Sequence, residues 1–311
     1  MDTMTPHCIW DLKAQLGEGP VWVAAEQALY FVDIVGSAIH RYTPATQATM
    51  SWKAPRRPGF LVPVADGTFM CGLQDGLHAF DPEGGKFSVQ AVVEPDRPGN
   101  RINDGYVDPR GRLWFGTMDD GEATPSGALY CVTREGDGTL RIVRQDEGYV
   151  VTNGPALSPD GRTLYHNDSH RQSIYAFDVS DSGALANRRV FARLSDGYPD
   201  GVVVDSAGCL WVGVWGGGRI ERFTPDGQRL APVMMPARNV TKVAFGGEDY
   251  RTVFVTTARK GLDGDVLAAQ PQTGGLFTFR VDVPGQPQAT FPASGMRELG
   301  RELHAPGGES R

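Results

Sequence analysis

GRLWFGTM, residues 111–118, is followed at a short interval by GALYCVTREGDG, residues 127–138. Each stretch opens on glycine and runs through five to seven mostly apolar residues before a polar break. That length is short for a helix, and aromatic and β-branched content suits a strand. The same two-strand unit recurs along the chain. ALYFVDI (28–34) leads to AIHRYTPATQ (38–47), and GTFMCGL (67–73) leads to GLHAFDPEGG (76–85). GRTLYHND (161–168) leads to SIYAFDVSDSG (173–183), and GCLWVGVW (208–215) leads to RIERFTPDGQ (219–228). RTVFVTTA (251–258) leads to GGLFTFRVDVPG (274–285), which makes six copies spaced by roughly 40 to 50 residues.

A period of this size is that of propeller blades. Three copies are preceded by a further apolar run ending in a turn: GYVDPRG (105–111), PALSPDG (155–161) and GVVVDSAG (201–208). Pro presets one turn angle and Gly accepts a positive one, so these runs read as inner strands closed by tight turns. The expected fold is therefore all-β, a six-bladed β-propeller of four-stranded blades around a central channel, which the polar residues described below make a metal-binding one. A seven-bladed WD-repeat propeller would need a Gly-His/Trp-Asp signature, which is absent. Residues 8–12 are expected to close the ring by adding a strand to the last blade. A single domain over residues 1–311 is expected, with the propeller at about 8–288 and a polar C-terminal tail at 289–311, its last part poorly ordered.

Composition narrows the function. The chain is 40% hydrophobic and 22% charged, as soluble globular proteins are. A net charge of −7 argues against nucleic acid and anionic membranes as partners. Cys8, Cys71, Cys131 and Cys209 form no CxxC pair, which leaves a zinc ribbon without support and favours free thiols in a reducing compartment. The N-terminal segment lacks a basic stretch followed by an apolar core, so a cytoplasmic location is expected. The oligomeric state is not set by the sequence, and a monomer fits it.

Four places break the apolar pattern where inner strands begin. They are LGEGPVW (16–22), RINDG (101–105), TNG (152–154) and YPDG (198–201). Asn-Gly and Asp-Gly are ordinary turn makers, and any one of these alone reads as a turn. At equivalent blade positions, however, Glu18, Asn103, Asn153 and Asp200 converge on the channel axis. Carboxylates and amide oxygens gathered there call for a positive partner, for which a divalent cation with oxygen ligands is the natural choice. The oxygen set suits Ca, Mg or Mn and also admits Fe or Zn. His40, His78, His166 and His170 have no metal-ligand spacing and are expected to be surface or blade residues.

These motifs, together with NVTKVAFGG (239–247), resemble the gluconolactonase/regucalcin/luciferin-regenerating-enzyme-like family over roughly residues 9–283. The look is nearest to bacterial sugar-acid lactonases such as xylonolactonases. The resemblance implies Glu18, Asn153 and Asp200 as ligands of one divalent metal and Asp200 also as the general acid/base. It implies Arg101 and Asn103 as partners of sugar hydroxyls. Some relatives use a Glu soon after GTM for substrate, and in GTMDDGEATPSG (116–127) Glu122 is the candidate.

The implied activity is hydrolysis of sugar aldonolactones of the xylono-, glucono- or arabinono- type, with the lactone as a small-molecule partner. A GxSxG nucleophile elbow and a Walker loop are both missing. Two rivals stand beside this reading. One is a phosphotriesterase on the same propeller, against which Arg101 and Asn103 speak because they suit a polyhydroxylated substrate. The other is a non-enzymatic cation-binding protein.

Overall fold

The computed structural model describes residues 4–294, folded as six four-stranded antiparallel sheets around one axis. The inner strands are Gly17–Val23, Pro58–Pro63, Asn100–Val107, Thr152–Leu157, Tyr198–Val204 and Val240–Gly246 for blades 1 to 6. The repeat units of the sequence supply the second and third strands, such as Leu113–Asp119 and Gly127–Arg134 in blade 3. The fourth strand of blade 6 comes from the other end of the chain. His7–Trp10 pairs antiparallel with Leu276–Arg280, which closes the ring.

Blades pack face to face, and each buried apolar cluster joins two neighbours. Val21, Tyr30 and Val32 of blade 1 meet Phe69 and Phe80 of blade 2. Trp211 of blade 5 packs with Val253, Phe277 and Phe279 of blade 6. Because both faces of a blade are covered, its central strands read as nearly continuous apolar runs rather than strict alternations. The turns after the inner strands of blades 3 and 5 show why VDPRGRLW and VDSAGCLW look alike. Asp108 Oδ1 accepts from the backbone N–H groups of Arg110 and Arg112, and Oδ2 accepts from Trp114 Nε1 at 2.9 Å. Asp205 makes the same set with Ala207, Cys209 and Trp211 Nε1. One carboxylate thus closes the turn and satisfies a buried indole N–H that would otherwise cost stability.

The inner strands do not run straight. Pairing to the second strand slips between Glu18 and Val21, Ile102 and Gly105, Asn153 and Ala156, Pro199 and Val202, and Val240 and Val243. A bulge at the same height in successive blades re-aims side chains into the channel.

Past the last blade the chain does not leave as a polar tail. Residues 284–292 run across the far end of the propeller. Gly285 N donates to Tyr250 O, Ser206 N to Pro284 O, and Gln286 Nε2 to Val204 O at 3.1 Å. Phe291, fully buried among residues of blades 2 and 3, exchanges backbone hydrogen bonds with Pro63 and Ala65. The remainder of the expected tail, from residue 295, lies outside the described residues. No helix among the described residues is long and apolar enough to cross a membrane.

Candidate functional site

The bulges place Glu18, Asn153 and Asp200 together, and one cavity of about 410 Å³ is lined by these three and by Arg101, Asn103 and Glu122. The cavity opens where the chain crosses from one blade to the next. Glu18 and Asn153 occupy the first residue of their bulges, whereas Asn103 and Asp200 occupy the second. The four residues therefore share one height but not one register position.

The site is buried and its groups are held. Glu18, Asn103, Asn153 and Asp200 are each 4–6% exposed. Gly19, at φ +53°, lets the backbone turn behind Glu18, and its N–H donates to Glu18 Oε2 at 2.6 Å. Asn167 Nδ2 donates to the backbone carbonyl of Asp200. Asn153 Nδ2 donates to Ser169 Oγ at 2.9 Å, and its Oδ1 accepts from Asn103 Nδ2 at 3.0 Å, which fixes the amide plane. Burial above all, and the neighbouring acid groups, raise the pKa of both carboxyls, Glu18 to about 7 and Asp200 well above the usual carboxylate range. Their side chains lie within hydrogen-bonding reach of each other. Two carboxyl groups meet this way only if a proton or a cation joins them.

Among the described residues no three His, Cys, Asp or Glu side chains are grouped to hold an ion. The donor set here is different: two carboxylates and one aimed amide oxygen, hard oxygen donors that fit a divalent cation. A third carboxylate, Asp104, is 2% exposed and lies behind them, bonded to Lys242 Nζ at 2.6 Å. With a cation in place of the shared proton and all three carboxyls ionised, these groups and Lys242 together carry two negative charges.

The substrate candidates differ from one another. Arg101 donates Nε to Asp120 Oδ1 and Nη1 to Asn103 Oδ1, leaving Nη2 unpartnered among the described residues at the cavity wall. Asn103 is more occupied than a free recognition group, because its Nδ2 donates to both Thr152 O and Asn153 Oδ1. Glu122 stands at the rim, with Oε1 bonded to Lys260 Nζ at 2.6 Å and both side chains more than 40% exposed. Of the histidines, His40, His78 and His166 are buried in blades, while His170 is exposed and lines the cavity. Trp215 also lines it.

Sequence reasoning passed over Lys242, Lys260 and Ser169, and read His170 only as a surface or blade residue. The segment NVTKVAFGG gave a strand signal in which a single lysine is unremarked, and the other three sit in connections without a repeat.

The model of the SMP-30/gluconolactonase/LRE-like region matches residues 16–259. A 6-deoxy-6-sulfogluconolactonase of Pseudomonas putida is 36% identical over 290 residues, covering 92% of this chain and 98% of that protein. An L-arabinolactonase of Azospirillum brasilense is 35% identical, covering 90% and 93%. Among solved structures, the calcium-binding protein regucalcin of Agrobacterium tumefaciens superposes with a TM-score of 0.88 at 29% identity, covering 93% of this chain and 97% of that one. The chain belongs to the SMP-30/gluconolactonase/LRE-like family.

Proposed function

We propose that this protein is a hydrolase that opens sugar aldonolactones to aldonic acids with the help of one divalent metal ion, in the cytoplasm. The observation that carries the reading is the buried meeting of Glu18, Asp200 and the Asn153 amide, two carboxylates and an oxygen, in a cavity whose wall offers Arg101 Nη2. The sugar-lactonase names of two relatives support the reaction class.

Glu18, Asn153 and Asp200 would hold the ion. When bound, it would draw charge from the lactone carbonyl and favour the negative charge that develops on that oxygen during attack. Asp200 takes the proton of the attacking water and returns it to the ring oxygen as the ester bond breaks. Asp104 does not serve as that base, because Lys242 Nζ and the N–H groups of Gly105 and Gly154 already occupy its oxygens. Arg101 Nη2 donates to a hydroxyl of the sugar, while Asp120 and Asn103 fix the guanidinium plane. Trp215 supplies an apolar wall against which a sugar ring rests. A polyhydroxylated substrate uses these donors, whereas a bulky apolar phosphotriester would leave Arg101 unpaired.

The test is acid release, followed with a pH indicator, across xylono-, arabinono-, glucono- and galactonolactones. It is run with and without a chelator and corrected for spontaneous opening. Enzymatic opening of at least one lactone, lost on chelation and restored by a divalent salt, is expected. Absence of lactone opening under every metal tried would overturn the reading.

A further inference from the structure

Lys242 is a buried cation that stands behind the site rather than in the cavity wall. It lies on the inner strand of blade 6, in the bulge position that Asp104 occupies in blade 3. Its ammonium bonds Asp104 Oδ1 at 2.6 Å with both side chains at most 6% exposed. Its aliphatic stem crosses Gly201, the residue after Asp200. A Cβ added at Gly201 would stand 2.3 Å from Lys242 Cγ, so the glycine of YPDG makes room for the lysine. The other oxygen of Asp104 accepts from Gly154 N at 2.9 Å, the residue after Asn153. The pair therefore abuts two of the three residues expected to hold the ion.

We infer that Lys242 and Asp104 form a positioning pair that, from behind the three ion-binding residues, sets the charge around them at two negative units and so selects a divalent over a trivalent cation. The inference rests on the reading that Glu18, Asn153 and Asp200 hold one such ion. Neither residue needs to touch it. With Lys242 neutralised, the site carries three uncompensated carboxylates, Asp104 still held by Gly105 N and Gly154 N. With Asp104 neutralised, the lysine charge is left to repel the ion across a short, poorly screened distance. Neutralising both restores the original total.

The experiment uses the full-length chain stripped of metal. Binding of Ca²⁺ is measured by titration calorimetry and binding of Tb³⁺ by its luminescence. The wild type, Lys242→Met, Asp104→Asn and the double variant are compared, with folding checked by circular dichroism. Lys242→Met is expected to raise the preference for Tb³⁺ over Ca²⁺ by about tenfold or more, and Asp104→Asn to weaken Ca²⁺ binding by about tenfold. The double variant is expected to return to within about threefold of the wild type in both respects, because replacing both partners of a buried pair leaves no unpaired charge. Should a single variant fail to fold, the double variant decides. Folded double protein with Ca²⁺ affinity lost by more than about tenfold would overturn the inference. So would a folded Lys242→Met with an unchanged ion preference. Wild-type protein that binds neither ion would instead overturn the metal reading beneath it.

Discussion

Asn103 Nδ2 donates to Asn153 Oδ1 at 3.0 Å across the gap between blades 3 and 4. The residue that sequence assigns to substrate thus helps aim the residue assigned to the ion. Asn103→Ala is accordingly expected to weaken divalent-metal binding by roughly fivefold, the weight of one buried hydrogen bond of about 1 kcal/mol. Calorimetric titration of the metal-free protein checks it. Unchanged metal affinity would mean that Ser169 alone orients Asn153.

Arg101→Ala separates the two roles. Its free Nη2 faces the cavity, and it touches the ion-binding residues only through Asn103. The expected outcome is a KM raised about tenfold, with metal affinity reduced less than in Asn103→Ala. Steady-state kinetics on the best lactone, together with metal titration of the same sample, gives both numbers. A larger loss of metal than of substrate affinity would make Arg101 a support of the metal site.

Asp200→Asn keeps an oxygen in place but cannot take a proton near neutral pH. Loss of a general base costs on the order of 10²–10⁴ in rate. A folded variant with weakened, measurable metal binding and a collapsed kcat is expected, whereas Asp200→Ala should lose both. Turnover is measured at saturating metal with occupancy checked in parallel. Near-normal turnover by the loaded Asn variant would rule Asp200 out as the base.

Acid stability has its own prediction. Burial lowers the pKa of His40 to about 4 and that of His166 to about 3. Both ring nitrogens of His166 lack partners among the described residues, and the ring packs edge-on against Tyr149 at 4.9 Å. The unfolded chain takes up protons below about pH 6.5 that these folded histidines refuse. Their contribution to stability is therefore complete above that pH and is lost as pH falls toward 4 and then 3. Each histidine contributes a slope of at most ~1.4 kcal/mol per pH unit in that window. His166→Phe is expected to flatten the slope measured by urea unfolding between pH 6.5 and 4. An unaltered slope would place the proton uptake elsewhere.

The far-end crossing offers a stability test without chemistry. Phe291 is fully buried between blades 2 and 3. Phe291→Ala should cost about 3–5 kcal/mol, as large-to-small changes in cores do. Lactone turnover at 25 °C should be retained. A melting temperature within a degree or two of the wild type would show that this segment contributes little.

The blades were legible because a strand, a tight turn and a second strand leave a local pattern that survives without tertiary information. Asp108 and Asp205 explain why: each closes its turn and meets an indole six residues on, so the motif is written in one short segment. Glu18, Asn153 and Asp200 were legible for the same reason, as polar breaks at a repeated place. Lys242 was not, because its meaning lies in Asp104, 138 residues away, and a lysine in a strand has no signature of its own. The Lys260–Glu122 contact at the rim spans the same sequence distance. Phe291 escaped because one aromatic in a polar, repeat-free stretch carries no periodicity, and its burial depends on two blades already formed.

The segment at residues 284–292 covers the channel's far end, where Gln286, Pro287 and Gln288 line a small cavity of about 70 Å³ beneath Lys242. The site then has one mouth for both directions: whatever enters must back out the way it came. A bound aldonic acid, with the same hydroxyls and a new carboxylate, would sit in the path of the next lactone. Turnover would slow as acid accumulates, in a pattern competitive with substrate, and departure of the acid rather than ring opening would set the pace at high lactone concentration.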